Sequence, residues 1–306
     1  MNIWILSDSK PGHLNQTKGL SAALSARKPG NVDIIDLAGQ GFFQKLRTVS
    51  RNNGHARPDL IIAAGHSTHI PLIRAARHFN AVSILCMKPS LPCCLFDLCL
   101  VPRHDLGNKE YPGKHIFPTT GALHSIRPNP EADKNTTLIL IGGPSKAYGW
   151  APDSLLGQLQ AIDAHVSATG GQAVLTTSRR TPPDFAPSIV RECPHIKVVP
   201  VEETRPGWVA AHLEHAHTAW VTQDSVSMVY EALGSGAAVG ILCMPVRSSK
   251  PSRVARGLDM LLEEGRVTPW ATWKTTGHLP SSLPLVETDR AADYIIQHFF
   301  PSTPST

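Results

Sequence analysis

Thr222-Gln-Asp-Ser-Val-Ser-Met-Val-Tyr-Glu231, followed by Ala-Leu-Gly234, is the stretch around which the rest of the chain is organised. The apolar run before it, His217 to Val221, reads as a short buried strand. Val226, Val229, Tyr230 and Leu233 recur at i, i+3, i+4 and i+7, one apolar face of a helix. Asp224, Ser227, Met228 and Glu231 line the opposite face, and Gly234 or Gly236 supplies the stop. A polar stripe therefore opens a helix just beyond the carboxyl end of a strand, where open α/β sheets bind their ligands. Free N–H groups of the first turn favour phosphate, and Ser225 and Ser227 add hydroxyls. Glu231, two turns in, is placed to accept hydrogen bonds from a ribose diol. The plainer reading of the same residues makes Asp224 a helix cap bonded to Ser227, and Glu231 a solvated side chain. A carboxylate at the cap also competes with a phosphate for the same amides.

Outward from this stretch the chain alternates. Strands at Ile3 to Leu6, Val32 to Leu37, Asp59 to Ala64, Val82 to Cys86 and Leu95 to Val101 are separated by helical patterns. Those helices start near Leu14, Gly41 and Ile70. Alternation of this kind predicts an α/β fold with a parallel, doubly wound sheet. Pro128, Asn129 and Pro130 mark a linker, and then the pattern restarts. Strands follow at Thr137 to Ile141, Gln172 to Thr176, Val198 to Val201 and Ala237 to Leu242. An amphipathic helix carries Leu155, Leu159, Ile162 and Val166, and further helices cover Trp208 to His215, Arg253 to Glu263 and Asp289 to Phe299. Thr288 is the expected cap of the last. The expected domains are 1–127, a linker at 128–135, a second domain at 136–286, and a C-terminal helix and tail at 287–306. Two Rossmann-like domains facing a central cleft would place a ligand at their carboxyl edges.

Composition narrows the class. With 29 Lys and Arg against 24 Asp and Glu, the charge of +5 is mild. It suits an anionic small ligand better than nucleic acid. No apolar run reaches the roughly 18 residues of a membrane span. The N-terminus opens directly as a strand, without the features of a signal peptide. The 6 Cys form no C-x-x-C pair and read as reduced core thiols of a cytoplasmic protein, with no zinc site.

Four strand-to-helix loops carry candidate chemistry. The first holds Asp8, Lys10, Gly12 and His13. Gly12 allows close backbone approach to a ligand, and His13, near a helix start that favours its neutral form, is a candidate general base, as is Asp8. The second holds His66, Ser67 and His69, read as polar contacts to an acceptor or as plain capping rather than as a metal site. The third is Gly142-Gly143-Pro144-Ser145 with Lys146, whose amides and charge suit an anion. It lacks the spacing of a P-loop, and no dinucleotide G-x-G-x-x-G follows either opening strand. The fourth holds Ser178, Arg179, Arg180 and Thr181, a pair of guanidiniums that suits phosphate or a solvated basic turn. Phe42 and Phe43, beside Lys45, Arg47 and Arg51, read either as core residues or as a peripheral membrane contact suited to lipid-linked acceptors at the inner membrane face.

Four segments together resemble the mitochondrial fission ELM family: Ser7-Asp-Ser-Lys-Pro-Gly-His13, Ile141-Gly-Gly-Pro-Ser-Lys146, Thr177-Ser-Arg-Arg-Thr-Pro182 and Thr222-x-Asp-Ser-x-Ser-Met-x-x-Glu-Ala232. The match runs along nearly the whole chain and looks like a bacterial-type member. The resemblance implies a GT-B-like fold, two Rossmann-type domains with the last helix crossing back to the first. It also implies a nucleotide-diphosphate sugar as substrate, with no bound cofactor. Members are described as nucleoside-diphosphate-sugar epimerases, and the fold is shared with glycosyltransferases of cell-envelope and glycan metabolism. Carried over, Glu231 becomes the ribose ligand. Ser225, Ser227, Gly143, Ser145 and Arg179 become diphosphate contacts, and the loop around His13 faces the acceptor. Plant members recruit a dynamin-related protein in fission, so the resemblance also implies a scaffold role as an alternative.

Overall fold

The computed structural model describes residues 1–51, 54–107, 113–247 and 253–301. It divides into two compact units, Met1–Ser125 with Val286–Thr306, and Ile126–Leu285.

In the first unit the strands are β1 (Ile3–Ser7), β2 (Val32–Asp36), β3 (Leu60–Ala63), β4 (Val82–Leu85), β5 (Leu98–Pro102) and β6 (Ile116–Thr119). The helices between them are α1 (Pro11–Arg27), α2 (Phe42–Thr48), α3 (His69–Phe79) and α4 (Arg103–Leu106), with a 3-10 turn at His66–Thr68. All pairings are parallel, in the order β2-β1-β3-β4-β5-β6. The chain winds one way from β1 to β2 and the other way from β3 onward, so its topological switch lies between β1 and β3. These strands are apolar on both faces because helices cover both. Side chains alternate across the sheet: Ile3, Leu60, Ile62 and Ile84 pack with Leu20 and Leu24 of α1, whereas Trp4, Leu6, Ile61 and Ala63 pack with Leu72 and Ala75 of α3.

The second unit holds β7 (Asp133–Leu140), β8 (Gln172–Thr176), β9 (Ile196–Val199), β10 (Ala216–Thr222), β11 (Ala238–Leu242) and β12 (Thr268–Pro269). Its helices are α5 (Pro152–Thr169), α6 (Phe185–Glu192), α7 (Trp208–Leu213), α8 (Val226–Ser235), α9 (Arg253–Glu263) and α10 (Trp270–Thr276). The parallel order is β12-β11-β10-β7-β8-β9, the doubly wound arrangement with its switch between β7 and β10. Leu138, Leu140, Val221 and Val239 face α8, and Ile139, Leu175 and Trp220 face α5.

The final helix, α11 (Glu287–Phe299), belongs to the first unit. Ala291, Ala292 and Ile295 join the core beneath α1. Arg27 reaches from the last turn of α1 to Asp293 (2.5 Å) and Asp289 (2.9 Å). Thr288 is not a cap. Its hydroxyl donates to the carbonyl of His124 (2.7 Å) and accepts from the same residue's N–H (3.1 Å), while Glu287 accepts from the N–H of Thr120 (2.7 Å). The first turn is thus spent on tying down the segment beside β6.

Several boundaries differ from the sequence expectation. β7 begins at Asp133, inside the stretch read as a linker. α1 begins at Pro11, whose fixed φ and missing N–H suit a first helical position, so His13 lies in the helix rather than before it. β6, α6, β12 and α10 have short or proline-bearing sequences that give no clear period. Cys86, Cys99 and Cys193 are buried, but Cys94 and Cys243 are exposed, so the thiols are not uniformly core residues. Phe42 and Phe43 are not core residues either. No helix among the described residues is long and apolar enough to cross a membrane.

Candidate functional site

The strand order brings three loops of the second unit together. β7 lies between β10 and β8, so the turns leaving these strands are neighbours at the carboxyl edge, two of them flanking the switch. From β7 come Gly142 and Gly143, from β8 Arg180 and Thr181, and from β10 Asp224 and Ser225. The N–H of Gly142 donates to Thr222 Oγ1 (2.7 Å), and that of Gly143 to Asp224 Oδ2 (3.1 Å). The same Oδ2 accepts from Arg180 Nη2 (2.6 Å) and from Ser225 Oγ (3.1 Å). Thr181 Oγ1 donates to the Gly142 carbonyl (2.5 Å).

Both glycines are required by close approach. A Cβ on Gly142 would lie 2.3 Å from the Asp224 carboxylate and from Ser225 Oγ. One on Gly143 would lie 2.1 Å from the Arg180 carbonyl oxygen. Their backbone freedom is not the reason, since neither has a positive φ.

Asp224 is not the helix cap of the plainer reading: it makes no capping bond to α8, whose N-cap is Ser225. Its side chain is wholly buried, and among the described residues Oδ1 has no partner. It occupies the place at the helix start where a free anion hole was expected, and it takes the Gly143 N–H that a phosphate would need. A phosphate would be repelled by the carboxylate at that point, so this part of the helix start recognises Arg180 instead. Lys146 and Arg179 are both exposed, and Arg180, although paired with Asp224, is exposed as well. Ser227 is exposed in the first turn of α8. The Ser145 hydroxyl accepts from the N–H groups of Ala147 (3.3 Å) and Tyr148 (3.1 Å), which shapes the glycine turn.

Glu231 lies one turn further into α8. Burial pushes its carboxyl up to about 7, and among the described residues no hydrogen bond or ion pair holds it. Two residues of this cluster escaped the sequence reading. Thr222 ends β10 and holds Gly142. Tyr148 is buried, and its hydroxyl is pushed up by burial and then by the carboxylates of Asp259 and Asp224. Its place within the glycine-turn motif was the available signal.

The first unit builds a second constellation by the same logic. β1 and β3 flank the switch, so the loop carrying Asp8 and His13 meets the turn at Gly65. His13 Nδ1 sits 3.0 Å from both carboxylate oxygens of Asp8, and Lys10 Nζ is 3.7 Å away. Burial alone would raise the Asp8 carboxyl, but the His13 hydrogen bond and charge outweigh it and hold the group below its ordinary value. An ionised Asp8 accepts from Nδ1–H, which leaves the lone pair on Nε2, the form a general base needs. Gly65 has φ +100°, and a Cβ there would meet His13 Nδ1 at 2.6 Å. Gly12 has open space around it in the first turn of α1.

His66 and Ser67 are exposed on the 3-10 turn. Neither Ser67 nor Thr68 caps α3. Thr68 donates back to the Gly65 carbonyl (2.8 Å). His69 is buried beside Ser90 Oγ (3.2 Å), and burial, reinforced by His66, pushes it down to about 4.

Two Rossmann-like units, each with its polar residues at the switch point, and a C-terminal helix that returns to the first unit define the GT-B class. The structure of UDP-GlcNAc 2-epimerase from Methanocaldococcus jannaschii matches with a TM-score of 0.58 at 11% identity, over 97% of this chain and 100% of that one. AviGT4, a glycosyltransferase involved in avilamycin A biosynthesis, matches with a TM-score of 0.53 at 14% identity, over 98% and 97%. The family model described as mitochondrial fission ELM1 matches residues 11–299, and this chain belongs to that family. The mitochondrial fission protein ELM1 of Arabidopsis thaliana is 26% identical over 321 residues, 92% of this chain and 73% of the plant protein.

Proposed function

We propose that this chain binds a nucleotide-diphosphate sugar through its second unit and acts as a glycosyltransferase-like enzyme of cell-envelope or glycan metabolism. The observation that carries the reading is Glu231. A half-buried carboxyl without a partner among the described residues, in the middle of a helix, is costly to ionise, and packing gives no reason for it. A ribose diol donating two hydrogen bonds would offset that cost. The neighbouring glycine turn, the Arg pair and Lys146 suit the diphosphate that such a sugar carries. Because Asp224 holds the Gly143 amide, Arg180 and the Ser225 hydroxyl, the phosphate contacts fall first to Arg179, Lys146 and the hydroxyl of Ser227.

The acceptor hydroxyl oxygen attacks the anomeric carbon, the bond from that carbon to the diphosphate oxygen breaks, and the diphosphate leaves with the electron pair. For the acceptor proton the first unit offers Nε2 of His13 as a base, with Asp8 to stabilise the resulting imidazolium. Arg and Lys side chains offset the charge of the leaving group. Epimerisation of the sugar is the second reading, since the fold is shared with an epimerase and the nucleotide contacts would be the same.

A thermal-denaturation screen against nucleotides and nucleotide sugars, with and without divalent metal, tests the proposal. Ligand at 100 times its dissociation constant adds about 2.7 kcal/mol of stability. A selective rise with one class of diphosphate nucleotide is expected, and product analysis with that sugar then separates transfer from epimerisation. A well-folded protein that no nucleotide stabilises would instead fit a non-catalytic scaffold role.

A further inference from the structure

Among the described residues two large aromatic side chains stand exposed side by side at the start of α2. Phe43 is 83% exposed and Phe42 51% exposed. Their rings sit edge to face, 5.5 Å between centroids. No residue of α2 is fully buried. The helix is held instead by its flanks, through Leu37 and Val49, which are both buried in the core under α3. The two rings are thus presented outward by a well-anchored segment.

The charged side chains carried by the segment itself are all of one sign, with Asp36 just before it and Asp59 just after. Between Leu37 and Pro58 the sequence contains no Asp or Glu. Arg47 lies one helical turn beyond Phe43, and Lys45 one turn beyond Phe42. The exposed Arg51 follows them, and Arg74 of the neighbouring α3 is tied to the end of this segment by a bond to Ser50 Oγ (3.1 Å). Among the described residues none of these four cations is in an ion pair. The net charge of the whole chain is mild, so this is local segregation rather than general basicity.

We infer that α2 docks the first unit onto an anionic lipid surface, with Phe42 and Phe43 seated at the headgroup level and the cations against the phosphates. Two projecting rings followed on their own helix only by cations complement a surface that is uniformly anionic outside and apolar beneath. A protein partner would have no cause to exclude carboxylates from the entire segment. The inference is independent of the nucleotide reading, and its test contains no nucleotide.

Flotation of the full chain with vesicles decides it. Vesicles of phosphatidylcholine alone are compared with vesicles in which about a third of the lipid is phosphatidylglycerol. Binding to the anionic vesicles is expected, weakening several-fold as salt rises from about 0.1 to 0.5 M. The Phe42→Ser/Phe43→Ser variant should lose about tenfold or more in partitioning, and Lys45→Glu/Arg47→Glu should lose binding to the anionic vesicles. Phe42, Phe43 and Arg47 are exposed and Lys45 is half-buried outside the core, so melting temperature should hold, which separates docking from folding. Absence of binding to the anionic vesicles, or equal binding by the Phe variant, would overturn the proposal. A wild-type chain that ignores vesicles but self-associates through the Phe pair would put a protein on this face instead, and would overturn it equally.

Discussion

Replacing Glu231 with Gln removes a titrating group from the middle of α8 while keeping its shape. The carboxyl ordinarily titrates at 4.5, and burial pushes it up to about 7. At 1.36 kcal/mol per pH unit, ionising it inside the fold costs about 3 kcal/mol. The sign follows from the folded value lying above the unfolded one: the folded chain holds this proton more tightly. The penalty is absent below about pH 4.5, grows as pH rises through the window to about 7, and is complete above it. Wild type and Glu231→Gln should therefore melt together near pH 5 and diverge by about 5–10 °C at pH 8.5, the variant being the more stable. Ligand binding should run the other way. A ribose diol bonds best to the ionised carboxylate, so binding expels the proton. Affinity for a nucleotide sugar, whose diphosphate does not itself titrate in this range, should rise about tenfold from pH 6 to pH 8. Glu231→Gln should bind weakly and without that slope. Calorimetry in two buffers would detect the released proton directly. If the melting difference between the two proteins stays constant from pH 5 to 8.5, the carboxyl is not titrating in a buried site and the reasoning fails.

Two further outcomes follow from particular contacts. Gly143→Ala puts a methyl 2.1 Å from the Arg180 carbonyl oxygen, a backbone atom that cannot swing aside, and should cost about 1–3 kcal/mol in a denaturant titration; a neutral result would mean that the two loops can separate freely. Arg27→Ala removes the clamp on Asp289 and Asp293. Because the pairs are partly exposed, the loss should be only about 1 kcal/mol, but amide exchange in α11 should quicken first, and unchanged exchange there would show that apolar packing alone holds the helix.

The sequence alone determined the class of fold. Short apolar strands separated by amphipathic helices, with a restart after Pro128, have few packed solutions besides two parallel sheets covered on both faces. It also determined where chemistry should collect, because Gly, Asp, Ser and Arg at strand ends have no packing role there. Val226, Val229, Tyr230 and Leu233 were legible as a buried face because burial follows local periodicity. What the sequence did not carry was partnership. Gly143, Arg180 and Asp224 are far apart in the chain, and only the strand order that sets β7 between β10 and β8 makes them touch. That contact turned Asp224 from a presumed cap into a buried counterion, and it filled the expected anion hole with a protein carboxylate. Exposure is equally non-local. The pattern of α2 marks Phe42 and Phe43 as core residues, yet Leu37 and Val49 take the space beneath the helix and leave both rings outside. Periodicity says which residues share a face; only the packed sheet decides what that face meets.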